Sequence, residues 1–346
     1  MSRPNTPTPS VRELFDLVAD LPVSDRLGVL ESSCPDPVTR GEVLALLRAD
    51  DSTPGSVPHV VRPLGAIEAG RLPEIAGYDV VRQLAEGGSS RVFEAVSTET
   101  GERVAIKLIG EDASRSGIDR FRQECRVLAR LDHPGIVRLL ETGTTASGQV
   151  YLVMEFIEGS CIDAWSREPG RTDRQRIDAI LQVLAALGHA HAAGVVHRDL
   201  KPQNILVDRG HHVRLVDFGV ARLTSEGHRT GVHTQTGNLV GTFAYMSPEQ
   251  ADGCPDRIGP ATDLYQVAVV LYELLSGRLP YAVSTRSTMA LLKAVLFDAR
   301  IPLRDASPGS PVALEALLMR ALSLDATERP ANAEAFAASI VAACRA

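Results

Sequence analysis

Lysine is nearly missing from this chain: Lys107, Lys201 and Lys293 are the only three among 36 basic residues, and the other 33 are arginine. GC-rich coding accounts for the arginine. Against that background, a retained lysine marks a place where a compact ammonium does something a planar guanidinium cannot. Long apolar runs are also missing. The longest, Val267 to Leu275, is interrupted by Glu273 and is far too short to cross a bilayer. Residues 1–10, MSRPNTPTPS, lack the apolar core of a signal peptide. Cys34, Cys125, Cys161, Cys254 and Cys344 include no CxxC pair, which excludes a zinc ribbon and a disulfide framework. Reduced thiols in the cytoplasm are the expectation. The formal net charge of −7 excludes a nucleic-acid binder that works through a whole-surface basic field. There is no repeat of fixed period.

What is present suits a globular protein. Apolar residues make up 44% and charged residues 23% of the 346, enough for a sizeable core. That length fits two domains, or one bilobal unit with an appendage.

Residues 1–50 carry short helical patterns. Ser10 is a candidate N-cap ahead of Val11, Leu14, Phe15, Leu17, Val18 and Leu21, and Ser24 opens a second run through Leu27, Val29 and Leu30. Residues 43–47 supply a third. Residues 51–75, with Pro54, Pro58, Pro63 and Pro73 and no periodicity, read as a linker. Residues 76–157 carry strand-like runs at Tyr78–Leu84, Val92–Val96, Val104–Ile109, Ile136–Glu141 and Val150–Phe156, with one helical run at Ile118–Leu131. Residues 158–346 are mostly helical, at Arg174–Ala193, Asp263–Ser276, Thr288–Phe297, Pro311–Ser323 and Asn332–Ala343. The pattern predicts an α+β fold: a small β-rich lobe, a larger helical lobe and a ligand cleft between them.

Three weak signals lie in the first lobe. Gly87-Gly88 sits in a turn between two predicted strands, where backbone amides can approach phosphate oxygens. Lys107 closes an apolar strand segment, and Glu124 follows on the predicted helix. Each alone fits an ordinary hairpin or surface position. The decisive stretch is His197-Arg198-Asp199-Leu200-Lys201-Pro202-Gln203-Asn204, followed by Asp217-Phe218-Gly219. Two carboxylates, an amide oxygen and a lysine in so short a span suit metal–nucleotide chemistry: hard oxygens take the metal and the ammonium neutralises a phosphate.

This pair of motifs resembles the signature of protein kinases, and the resemblance extends over roughly residues 77–346. It is similar to the bacterial Hanks-type serine/threonine kinases. The resemblance implies the bilobal kinase fold, with residues 76–157 as the N-lobe and 158–346 as the C-lobe. It also implies transfer of the ATP γ-phosphate, with Mg²⁺ or Mn²⁺, to protein Ser/Thr hydroxyls. By that likeness Leu84, Gly87, Gly88 and Val92 belong to the loop over the ATP phosphates. Lys107 holds the α- and β-phosphates and Glu124 is its ion-pair partner. Met154 is the gatekeeper, and Glu155, Phe156 and Ile157 form the hinge against adenine. Val92, Ala105 and Leu206 sandwich the ring. Asp199 is the catalytic base, Lys201 the γ-phosphate lysine, and Asn204 and Asp217 the metal ligands. Gly241-Thr242 and Ser247-Pro248-Glu249 match the end of the activation segment, Arg329 the partner of Glu249, and Asp263 a structural aspartate. Leu128, Leu139, His197 and Phe218 are expected to stack between the lobes.

Some positions depart from the family pattern. Ala85 and Ser90 stand where glycine is usual, Ser247 where alanine is, and Ala268 where glycine is common. None removes a group needed for phosphoryl transfer. A catalytically dead scaffold would require loss of Lys107, Asp199, Asn204 or Asp217. A small-molecule phosphotransferase would lack the Gly241 to Glu249 platform. Thr234 and Thr236 resemble a doubly autophosphorylated site, so activation by autophosphorylation is expected, with a second copy of the chain as a candidate partner acting in trans. Neither a nucleic-acid partner nor a membrane span is expected. His189 and His191 are two apart on a predicted helix and so diverge, which argues against a metal cluster with His197.

Overall fold

The computed structural model describes residues 18, 21, 23–33, 72–87, 90–109, 125, 128–218, 243–282 and 288–345. The chain divides into two compact units: Met1–Pro63 with Val283–Leu291, and Leu64–Ala282 with Leu292–Ala346. In the first, helix α1 (Val23–Ser33) starts one residue before Ser24, and Val18 and Leu30 are fully buried. The predicted helices over 11–21 and 43–47 otherwise lie outside the described residues.

The second unit opens with five antiparallel strands: β1 (Tyr78–Gly87), β2 (Ser90–Ser97), β3 (Arg103–Ile109), β4 (Leu139–Thr144) and β5 (Val150–Glu155), in the order β1-β2-β3-β5-β4. Strand alternation divides their residues between two faces. Phe93, Ala95, Val104, Ile106, Leu108, Tyr151 and Val153 pack with Ile75 into one apolar core. The alternate positions Val92, Ala105, Lys107, Leu152 and Met154 share the other face. There Val92 pairs with Lys107, Lys107 with Leu152, and Ala105 with Met154. One face therefore serves stability and the other a site.

The strand expected at Ile136–Glu141 begins later, at Leu139. Ile136 instead makes a parallel bridge to Leu215, whose amide donates to Gly135 O at 2.8 Å and whose carbonyl accepts from the Val137 amide at 2.9 Å. The helical run expected at Ile118–Leu131 lies outside the described residues except at 125 and 128–131.

Beyond Glu155 a small antiparallel sheet, β6 (Gly159–Cys161), β7 (Ile205–Asp208) and β8 (Val213–Leu215), interrupts the helices, with three or four residues in each strand. Runs this short carry almost no periodicity, which is why sequence reasoning passed over them. The helices are α2 (Ile162–Ser166), α3 (Asp173–Ala192), α4 (Pro248–Ala251), α5 (Pro260–Ser276), α6 (Thr288–Phe297), α7 (Leu303–Ala306), α8 (Val312–Ala321) and α9 (Ala333–Ala343). Thr172 and Gln175 close a capping box on α3, Asn332 caps α9, and Gly277 ends α5 in the left-handed region at φ 73°. Helix α5 is buried on nearly every side from Thr262 to Tyr272 and packs against α3, α7 and α8, while α9 packs on α3 and α8. It is the internal post of the helical lobe.

Candidate active site

The loop His197–Asn204 follows α3 and is fixed from beneath by α5. Asp263, fully buried, accepts from the amides of His197 and Arg198, both at 2.8 Å, and from His191 Nε2 at 2.8 Å. Two successive amides aimed at one carboxylate require a tight bend, and Arg198 supplies it at φ 66°. That left-handed conformation costs a non-glycine residue on the order of 1–3 kcal/mol and persists only where surrounding bonds impose it. His197 Nε2 donates to Val216 O at 3.0 Å, and its ring lies 4.6 Å from that of Phe218. Burial pushes the His197 imidazole below its ordinary pKa, against the pull of Asp263, Asp199 and Asp217.

Around this bend the charged groups pair. Lys201 Nζ lies 3.0 Å from Asp199 Oδ2, and Lys107 Nζ 2.9 Å from Asp217 Oδ2. Asp217 is itself left-handed, at φ 59°. Burial works against ionising its carboxyl, but the Lys107 ammonium, helped by Lys201 and His197, holds it below the usual carboxylate range. Asn204 ends a three-ten turn started by Pro202, and its Nδ2 donates to Asp199 O at 2.7 Å and Oδ2 at 3.2 Å. Its Oδ1 is thus the end turned from Asp199. Lys107 comes from β3, Asp199, Lys201 and Asn204 from the loop, and Asp217 from the segment after β8.

A cavity of about 40 Å³ lies behind these groups, lined by Lys107, Leu128, Leu139, Met154, Asp217 and Phe218 among others. Leu128, Leu139 and Phe218 thereby share one cavity wall, and His197 joins them through its contact with Phe218. Met154 closes the cavity on the β5 side. The Glu155 amide donates to Arg138 O at 3.1 Å, and half-buried Phe156 and Ile157 lead into the helical lobe. Val92 and Ala105 lie half-buried on the same sheet face as Lys107. Leu206 stands in β7 opposite Cys161, and Leu84 on β1 is exposed. Gly87 ends β1, paired with Ser90. Gly88, Glu124, Gly219, Thr234, Thr236, Gly241 and Thr242 lie outside the described residues.

The donor set suits a hard divalent cation, since Asp217 and Asn204 offer a carboxylate and an amide oxygen. Among the described residues no cluster of three or more His, Cys, Asp or Glu stands ready as a metal site. Such an ion would need further oxygens, of the kind that phosphate groups offer.

The platform beyond the cleft is built on Glu249. Its two oxygens accept from Arg329 Nη1 and Nη2, each at 2.9 Å, with both side chains sealed from solvent. Ser247, the departure from alanine, is fully buried and caps α4 by accepting from the Gln250 amide, which an alanine could not do. A protein kinase domain model matches residues 78–341, which hold every group named in this site. The chain belongs to the protein kinase family. The chain is 34% identical over 274 residues to the serine/threonine-protein kinase pkn3 of Myxococcus xanthus, covering 77% of this chain and 49% of that protein. It is 39% identical over 221 residues to the serine/threonine-protein kinase PknA of Mycobacterium tuberculosis, covering 62% of this chain and 50% of that one. Among solved structures it resembles Rad53 1–466 in complex with AMP-PNP, with a TM-score of 0.61 and 25% identity over 75% of this chain and 64% of that one. The chain spans half or less of the length of these curated relatives. Among its described residues no helix is long and apolar enough to cross a membrane.

His191, Gln250 and Gln266 belong to no motif legible in the sequence. His191 was visible only as one of several nearby histidines. Gln266 did leave a signal, as a lone amide inside the apolar run Leu264–Leu271.

Proposed function

We propose that this chain is an ATP-dependent serine/threonine protein kinase organised as read from the sequence, with a helical preface over 1–50, a linker over 51–75 and two lobes over 76–157 and 158–346. The observation that carries the reading is the convergence of two lysine–carboxylate pairs, Lys107–Asp217 and Lys201–Asp199, with Asn204 bonded to Asp199. In the proposed reaction the acceptor hydroxyl oxygen bonds to the γ-phosphorus, the bond from that phosphorus to the β,γ-bridging oxygen breaks, and ADP leaves. Asp199 takes the hydroxyl proton. Lys201 neutralises charge gathering on the transferred group, while Lys107 holds the α- and β-phosphates with Glu124 as its partner. Asn204 and Asp217 hold Mg²⁺ or Mn²⁺, which supplies charge neutralisation at the phosphates. Leu84, Gly87, Gly88 and Val92 cover the nucleotide, Ala105 and Leu206 enclose the adenine, and the hinge at Glu155 and Ile157 beside Met154 hydrogen-bonds it.

Protein hydroxyls, rather than nucleic acid, are the proposed acceptors for a chain of net charge −7. A second copy of the chain, phosphorylated at Thr234 and Thr236, is the proposed first substrate. A cytoplasmic location fits the free thiols of Cys125, Cys161, Cys254 and Cys344 among the described residues. The test is transfer from radiolabelled ATP with Mg²⁺ or Mn²⁺ to the chain itself and to a generic protein acceptor. Asp199→Asn and Lys107→Met should each lower the rate by about 10² or more while the protein stays folded. Undiminished activity in Asp199→Asn refutes the assignment of the base. Label on serine or threonine is expected, with Thr234 and Thr236 modified. Full activity of the Thr234→Ala/Thr236→Ala double variant, with neither residue modified in the active wild type, refutes the activation reading.

A further inference from the structure

Asp199 is held by more than its own side-chain partners, and the extra grip comes from two glutamines no motif points to. Gln266 is buried in the middle of α5, one turn beyond Asp263. Its Oε1 accepts from the Leu200 amide at 2.9 Å, and its Nε2 donates to Gln250 Oε1 at 3.0 Å and reaches Arg198 O at 3.4 Å. Gln250, on α4 at the end of the activation segment, donates from Nε2 to Arg198 O at 2.6 Å. The same Gln250 Oε1 accepts from the Ser247 amide at 3.1 Å. The amide orientations are mutually fixed: the Leu200 N–H demands an oxygen, which leaves the Gln266 nitrogen facing the Gln250 oxygen.

Arg198 O and Leu200 N belong to the two peptide groups on either side of the Asp199 α-carbon. Asn204 holds the remaining carbonyl of the second group. A side chain aims where its backbone torsions send it, and both torsions of Asp199 are thus clamped by side-chain amides, those of Gln266 and Asn204 buried and that of Gln250 half-buried. We propose that Gln266 is a positioning residue for Asp199. Together with Gln250 it links the base to α4, so the placement of the activation segment's end is transmitted to the reacting group. The proposal rests on Asp199 acting as the base.

Displacing a reacting group by about an ångström can cost on the order of 10²-fold in rate. Gln266→Met keeps the volume and removes all three hydrogen bonds. It is expected to lower kcat by about tenfold to a hundredfold while KM for ATP changes less than about twofold. Gln250→Met should do the same, and the double variant should be no slower than the worse single one, because the pair acts as a unit. Gln266→Glu retains the acceptor for Leu200 and should keep more activity than Gln266→Met. Hydrogen exchange followed by mass spectrometry gives a readout independent of activity, in which the peptide covering 198–205 should exchange at least about tenfold faster in Gln266→Met while α3 and α9 do not change. Wild-type kcat in Gln266→Met, multiplying losses in the double variant, or unchanged exchange at 198–205 overturns the proposal. If the wild-type chain transfers no phosphate, the kinase reading fails, and the exchange measurement still decides the role of Gln266.

Discussion

Removing the Arg329 guanidinium tests how the helical lobe is held beneath the site. Arg329 is fully buried, forks onto both oxygens of Glu249 at 2.9 Å, donates to Ala261 O at 3.0 Å and Ser323 O at 3.1 Å, and lies 4.9 Å from the Tyr265 ring. Glu249 also accepts from Thr262 Oγ1 at 2.7 Å, which ties α4 to the start of α5. Arg329→Met keeps much of the volume but strands a buried carboxylate, a change that costs about 3–5 kcal/mol. At about 2–4 °C per kcal/mol for a domain of this size, the melting temperature should fall by on the order of 10 °C. The sign of the pH dependence follows from Glu249. Burial opposes its ionisation, but the bonds from Arg329 and Thr262 outweigh that and hold the carboxyl below its ordinary value. Its contribution is therefore complete above the ordinary carboxylate pKa and disappears as pH falls through the depressed one. In Arg329→Met the cation is gone, burial dominates, and the carboxyl protonates more readily. The gap between wild type and variant should be widest at neutral pH and narrow below about pH 5. Glu249→Met/Arg329→Met, which removes both charges, should recover most of the loss. Urea unfolding followed through Trp165, the one tryptophan and a buried one, measures each variant across pH. A gap under about 1 kcal/mol at pH 7, or one that stays constant from pH 7 to 4, refutes the reasoning.

Two further outcomes are expected. Burial, with Asp163 adding to it, pushes the Cys161 thiol up to about 11, so iodoacetamide at pH 8 should label it at least about tenfold more slowly than free glutathione. Labelling at the glutathione rate, read by mass spectrometry, contradicts that. At Gly159 an added Cβ would run into the Val207 carbonyl across the β6–β7 pair, so Gly159→Ala should cost about 1–3 kcal/mol in urea. Wild-type stability there would show that the small sheet yields freely.

The family, the order of most elements and the identity of the charged groups were legible before any folding was considered. Asp199, Lys201, Asn204 and Asp217 stood out because each needs a particular functional group at a particular spacing, and Lys107 gained weight through them. The helix over Thr288–Phe297 was legible because its apolar residues run on either side of a single charge, Lys293. Other features took shape in three dimensions alone. The small β6-β7-β8 sheet joins strands more than forty residues apart, and three-residue strands leave no pattern to read. The shift of Ile136 out of β4 depended on Leu215 being there to receive it. The hold on Asp199 was hidden for a related reason. Gln250, Asp263 and Gln266 act on the loop across 52 to 68 residues of chain, through backbone amides and carbonyls that every residue possesses. A sequence records which side chains are present. It does not record which main-chain groups they will meet, because that depends on how α5 is packed beneath the loop.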